Sequence, residues 1–168
     1  MIGYRAGTSV DAEAISAIFR EGFTATFGHL YATADLAAFL ATKRPDDFAP
    51  QLVDSDYAFR IAEVDGRAIG YIKLGPATLP GDKPPATLEL HQLYVGKAWH
   101  GQGVAAALTD WLFDEARRRG ARHLQLSVYV DNHRARRFYQ RYGFVEVGKY
   151  EFMVGAHIDD DRILQVAL

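Results

Sequence analysis

Two glycines one residue apart, Gly101 and Gly103, stand between a strand-like run ending Leu93-Tyr94-Val95 and a helix-like run that starts at Val104. That spacing suits the holding of a phosphate. A helix N-terminus leaves several backbone N–H groups without partners and carries partial positive charge, so an anion seated there gains hydrogen bonds and a favourable dipole interaction. Glycine, having no Cβ, allows positive φ and lets the backbone approach a bulky ligand. The same pair of glycines also fits an ordinary strand-to-helix turn. Two nucleotide-binding patterns are excluded. Gly-x-x-x-x-Gly-Lys-Ser/Thr is absent, and Gly-x-Gly-x-x-Gly fails because Ala106 stands where the third glycine belongs.

The elements around this turn follow from periodicity. Val104, Leu108, Trp111, Leu112 and Ala116 recur at helical spacing, and Gly120 supplies a C-terminal stop, which predicts a helix from Gly103 to Arg119 with an Asp114–Arg118 pair on its surface. Upstream, Ile2 to Ala6 reads as an edge strand, followed by a helix capped by Ser9 or Asp11 and two further helices over Thr33 to Thr42 and Asp46 to Val53. Tyr57 to Val64, Asp65-Gly66 and Ala68 to Leu74 form a hairpin signal. A proline-rich loop, Gly75 to Ala86, precedes a strand over Thr87 to Val95. Downstream come a strand over His123 to Val130, a helix over Asn132 to Tyr142, and strands over Phe144 to Val154 and Arg162 to Ala167. The acidic run Asp159 to Asp161 reads as part of the loop between the last two strands.

Composition narrows the class. A chain of 168 residues, 49% of them hydrophobic, fits one folded domain spanning 1–168 and burying a single core. Nineteen basic residues spread among 21 acidic ones, for a net charge of −2, argue against a general nucleic-acid binder. No apolar run is long enough for a membrane span, and the N-terminus lacks the pattern of a secretory signal. Zero cysteines exclude disulfides and a thiol nucleophile and are compatible with the cytoplasm. The six histidines show no metal-ligand spacing, so no metal is expected. An edge strand near the C-terminus can pair with a second copy to form a homodimer.

The order of strand, glycine turn, helix, strand and helix resembles the GNAT superfamily of acyl-CoA-dependent N-acetyltransferases over nearly the whole chain. The family's turn, Arg/Gln-x-x-Gly-x-Gly/Ala, is matched by His100-Gly101-Gln102-Gly103-Val104-Ala105, with His100 departing from the pattern. A second element, Asn-x-x-Ala-x-x-x-Tyr-x-x-x-Gly-Phe, is matched by Asn132, Ala135, Tyr139, Gly143 and Phe144. The ending Gly148 to Gly155, followed by Asp161, Ile163 and Leu164, resembles the bacterial polyamine-acetyltransferase branch. So do His29-Leu30-Tyr31, Asp35-Leu36 and Phe39-Leu40 near the start.

The resemblance implies an α/β fold with a mixed, mainly antiparallel central sheet flanked by helices, and acetyl-CoA as cosubstrate. It implies that the backbone from His100 to Ala105 holds the pyrophosphate and that Leu93, Tyr94 and Val95 offer backbone groups to the pantetheine arm and acetyl carbonyl. Asn132 is implied to contact the same arm, and caps a helix equally well. Because an alkylamine with a pKa of about 10 is protonated at neutral pH, a base is useful. Glu89 holds the family's position for that base, and His91, two residues on along one strand face, is its rival. Tyr139 matches the tyrosine that protonates the leaving thiolate, and His29 and Tyr31 border the amine site. The expected reaction is direct acetyl transfer to a small amine, polyamines first. The alternatives are acetylation of peptide N-termini and a non-catalytic acyl-CoA sensor.

Overall fold

The computed structural model describes residues 1–168. Seven strands form one sheet in the order β1 (Gly3–Ala6), β2 (Ala58–Val64), β3 (Arg67–Pro76), β4 (Thr87–Val95), β5 (His123–Tyr129), β7 (His157–Ala167), β6 (Val145–Val154). Only β4 and β5 pair in parallel; every other neighbour pair is antiparallel. The mixed, mainly antiparallel sheet implied by the resemblance is the one observed. Expected strand limits hold closely except at the end. β7 starts at His157, so Asp159 to Asp161 are strand residues and not loop. The alternation of buried and exposed positions from His157 to Asp161 is the strand period, hidden in sequence because the buried positions carry carboxylates.

Helices cover both faces. On one side lie α1 (Ala12–Phe27), α2 (Thr33–Leu40) and α3 (Pro45–Val53), joined to the sheet through a core that includes Ile15, Phe19, Phe23, Phe48, Phe59 and Tyr71. Pro45 opens α3 at its first turn, where the missing N–H costs nothing. On the other side lies α4 (Val104–Arg118), whose Val104, Leu108, Leu112 and Ala116 are buried against Ile72, Leu74, Leu90 and Leu124. α4 ends as Gly120 predicts, with Ala121 N–H bonded to the Ala116 carbonyl and Gly120 N–H to that of Arg117. Its surface pairing differs from expectation: Asp114 pairs with Arg117, while Glu115 takes both Arg118 and Arg119. The short α5 (His133–Arg141) packs Ala135 and Tyr139 against the α4-side core.

Candidate active site

The parallel pairing of β4 with β5 lasts only three residues, from Thr87 opposite His123 to Glu89 opposite Gln125. Beyond Glu89 the strands part. A register shift against β3 follows at once: Lys73 faces Gln92 and Leu74 faces Leu90, leaving His91 as an extra residue in β4. The later half of β4, Leu93 to Val95, therefore turns a half-buried side without ladder partners toward the gap, and backbone groups left that way call for a partner. An extended, amide-containing ligand arm meets that need.

At the mouth of the gap sits the glycine turn. Gly101 and Gly103 have φ of +77° and +81°, and a Cβ on either would meet nothing within 4 Å, so the backbone there is open. The first α4 hydrogen bond runs from Ala107 N–H to the Gly103 carbonyl. The N–H groups of Val104, Ala105 and Ala106 are accordingly free of helix partners. Gln102 turns its side chain away, to the Ala98 carbonyl. His100 places Nε2 2.8 Å from the Val95 carbonyl and Nδ1 3.0 Å from an Arg134 guanidinium nitrogen. Since the arginine can only donate, Nδ1 accepts and Nε2–H donates, which fixes the neutral tautomer. Where the family pattern has an arginine or glutamine, this chain thus has a histidine that ties the end of β4 and holds an arginine from α5 beside the turn. Asn132 accepts a hydrogen bond from Ala135 N–H and so caps α5.

Two tyrosines stand on elements that follow the paired parts of β4 and β5, Tyr94 on β4 and Tyr139 on α5. Tyr139, half-buried and packed against Phe138 and Phe144, makes no hydrogen bond through its hydroxyl, and desolvation pushes its pKa up. Tyr94 stacks on Tyr71 and lies edge-on to Phe19, and burial, then Tyr139 and Asp161, push its pKa up as well. Asp161, on β7, is buried, and the loss of water raises its pKa to about 7, helped by Asp159 and opposed by the Ser127 hydroxyl. Sequence reading missed Asp161 as a site residue, although its place two and three residues before Ile163 and Leu164 belongs to an alternating strand pattern.

The remaining expected residues divide. Glu89 is 6% exposed, and its Oε2 accepts from Thr78 N–H at 2.6 Å, Thr78 Oγ at 3.1 Å and Leu79 N–H at 3.3 Å. Its Oε1 lies 3.4 Å from His91 Nδ1, while His91 Nε2 lies 2.9 Å from the Pro76 carbonyl. Burial is the first cause that lowers the His91 pKa, Glu89 opposing it. Tyr31 is buried, stacks on Phe23 and donates its hydroxyl to Asp159. His29 is exposed on the turn before it and makes no hydrogen bond or ring contact with the site. No helix is long and apolar enough to cross a membrane, and no group of three metal-ligating side chains is gathered anywhere in the fold.

Comparison with known proteins decides the family. Residues 13–144 match the model of the acetyltransferase (GNAT) family. This chain belongs to that family. A Mycobacterium tuberculosis protein described as an uncharacterized N-acetyltransferase is 34% identical over 155 residues, 92% of this chain and 96% of the relative. The aminoalkylphosphonate N-acetyltransferase of Salmonella typhimurium is 31% identical over 105 residues, 59% of this chain and 64% of its own. The fold is also that of a Thermoplasma acidophilum PaiA N-acetyltransferase crystallised with coenzyme A, with a TM-score of 0.80 at 20% identity over 100% and 99% of the two chains. The ribosomal-protein-S18-alanine N-acetyltransferase of Escherichia coli superposes with a TM-score of 0.73 at 18% identity, over 99% and 94%. As a GNAT protein, the chain is an acetyltransferase.

Proposed function

We propose that this GNAT acetyltransferase transfers an acetyl group from acetyl-CoA directly to the nitrogen of a small amine, in one domain spanning residues 1–168. The observation that carries the reading is the succession of a strand edge released from pairing beyond Glu89, an open glycine turn at a helix N-terminus, and, on the next helix, a Tyr139 phenol engaged by no hydrogen bond. The free N–H groups of the first α4 turn and the backbone of Gly101 to Gly103 hold the diphosphate. Leu93 to Val95 align the arm and polarise the thioester carbonyl. The amine nitrogen attacks, a C–N bond forms and the C–S bond breaks. Tyr139 gives its proton to the departing sulfur, and the proton lost by the amine goes to a base.

For that base we assign Glu89 with His91, which contact each other at 3.4 Å on the acceptor side of β4 and act through water. A second reading is favoured by position: Asp161 lies close enough to Tyr94 to influence it, whereas Glu89 is already committed to three loop donors. In that reading Asp161 takes the proton itself. Tyr31, held by Asp159, forms the acceptor wall.

Among amines, the carboxylates of Asp159 and Asp161 on the buried face of β7 suit one ammonium group, a feature that a polyamine shares with any other alkylamine. The similarity to an aminoalkylphosphonate enzyme points to an acceptor that also carries an anion. The test of the common reading is release of thiol from acetyl-CoA in the presence of an amine panel, with acetylated product identified by mass. Calorimetry that finds no binding of coenzyme A would remove the proposal.

A further inference from the structure

The acceptor face carries two ammonium groups that the chain does not neutralise. Lys73 lies on β3 opposite Gln92, in the same row of side chains as Tyr71, whose hydroxyl donates to Gln92 Oε1 at 2.8 Å. Only 5% of Lys73 is exposed, and its Nζ sits 5.0 Å from the ring centre of Tyr57 and 5.9 Å from that of Phe59. Lys43, between α2 and α3, brings its Nζ to 5.8 Å from Phe19 and 5.4 Å from Phe39. Neither nitrogen forms an ion pair. Glu89 and Asp47 act on them only from a distance, and burial lowers the pKa of both, that of Lys73 to about 8 with Lys43 as the second cause.

A buried cation without a partner, as at Lys73, is strongly unfavourable, and repulsion from the half-buried Lys43 makes it more so. Aromatic faces offset part of this but carry no net charge. An anion would complete the site. Across the gap the sign reverses, because Asp159 and Asp161 are buried on β7, on the opposite side of β4 in the sheet order. The face therefore presents positive charge beside β3 and negative charge on β7.

We propose that Lys73 and Lys43 form a subsite for an anionic group, a carboxylate or a phosphonate, on the same amine whose nitrogen is acetylated, its ammonium end lying toward Asp161. This rests on the acetyl-transfer reading above and narrows its acceptor class. A polyamine, cationic at each nitrogen, would set positive charge against Lys73.

The experiment measures thiol release from acetyl-CoA with 2-aminoethylphosphonate, β-alanine, propylamine and spermidine, on the intact chain and on Lys73→Met and Lys43→Met. The expected result is a kcat/KM for one or both anion-bearing amines about 10- to 100-fold above that for propylamine, an advantage that collapses toward one in Lys73→Met through a higher KM. Phosphonate against carboxylate identifies the preferred anion. Methionine keeps the apolar stem and removes the buried charge, so the melting temperature should not fall; if Lys73→Met fails to fold, Lys43→Met is read in its place. A preference for propylamine or spermidine that neither variant alters overturns the subsite and leaves acetyl transfer standing. If no amine is acetylated, the acetyl-transfer reading fails separately. Calorimetry of 2-aminoethylphosphonate and β-alanine with the coenzyme A-loaded chain then decides the subsite, supported by binding that Lys73→Met weakens and overturned by no binding.

Discussion

Glu89 faces Gln125 across the last rung of the parallel ladder between β4 and β5, and His91, two residues further along β4, has no partner on β3. The two facts belong together. An extra residue increases local twist and bends the strand that holds it, so β4 leaves β5 soon after their pairing ends. What the sheet loses in ladder hydrogen bonds becomes an edge for a ligand, and the glycine turn lies directly downstream of it.

Tyr139→Phe separates chemistry from binding. The hydroxyl has no partner in the protein, so its removal should leave the melting temperature and the coenzyme A affinity unchanged. As the acid for the leaving thiolate it should lower kcat by about 100-fold or more. Steady-state kinetics beside calorimetry check both halves, and full turnover by the variant removes Tyr139 from the mechanism.

Gly103→Ala tests the turn. With φ at +81° and nothing within 4 Å of a Cβ, the substitution is strained by conformation alone and not by collision, at about 1–2 kcal/mol of stability. A methyl group on the ligand side of the turn should in addition weaken coenzyme A binding by more than the stability loss accounts for. Equal affinity in folded Gly103→Ala and the parent would place the diphosphate elsewhere.

Arg134→Ala tests the bridge made by His100. The guanidinium held at 3.0 Å from Nδ1 is exposed, so its attraction for a phosphate should be worth about 1 kcal/mol, roughly a five-fold change in Kd. The difference should shrink as salt rises from about 0.05 to 0.5 M. An unchanged Kd at low salt would leave the bridge a purely structural tie.

The cradle and Tyr139 were legible because each rests on local residues: glycines at fixed spacing before a periodic helix, and a tyrosine one turn before the end of the next helix. The strand-parting was not, although two polar residues in a row, His91-Gln92, interrupt the alternation set by Leu88 and Leu90 and move its phase to Leu93. Asp161 was hidden for a related reason. A strand position that buries a carboxylate has the composition of a loop, and only pairing with Tyr129 on β5 and Tyr150 on β6 puts it in the sheet. Tyr31 and His29 look equivalent on the page, and it is the distant Asp159 that separates them. Lys73, an interruption in an apolar strand, had a signal that went unread: a charged residue at an inward-facing position of a central strand is buried and needs a reason.

Glu89→Gln and Asp161→Asn together decide the base. Glutamine retains an oxygen that can accept from Thr78 and Leu79, so Glu89→Gln should keep its melting temperature while losing any basicity shared with His91. Asp161 has a carboxyl whose pKa rises from about 3.9 in the unfolded chain to about 7 in the fold. Stability from this group is therefore full below pH ~4 and lost as pH climbs through ~7, because the fold resists the ionisation that the unfolded chain accepts. Asparagine cannot ionise. Asp161→Asn should match the parent below pH ~4 and exceed it by up to about 4 kcal/mol above pH ~7, as denaturant melts at several pH values would show. In kinetics, whichever residue takes the amine's proton carries the rising limb of kcat/KM with pH. Loss of that limb in Glu89→Gln alone keeps the base on β4; loss in Asp161→Asn alone moves it to β7, and an unaltered profile in both would hand the proton to bulk water.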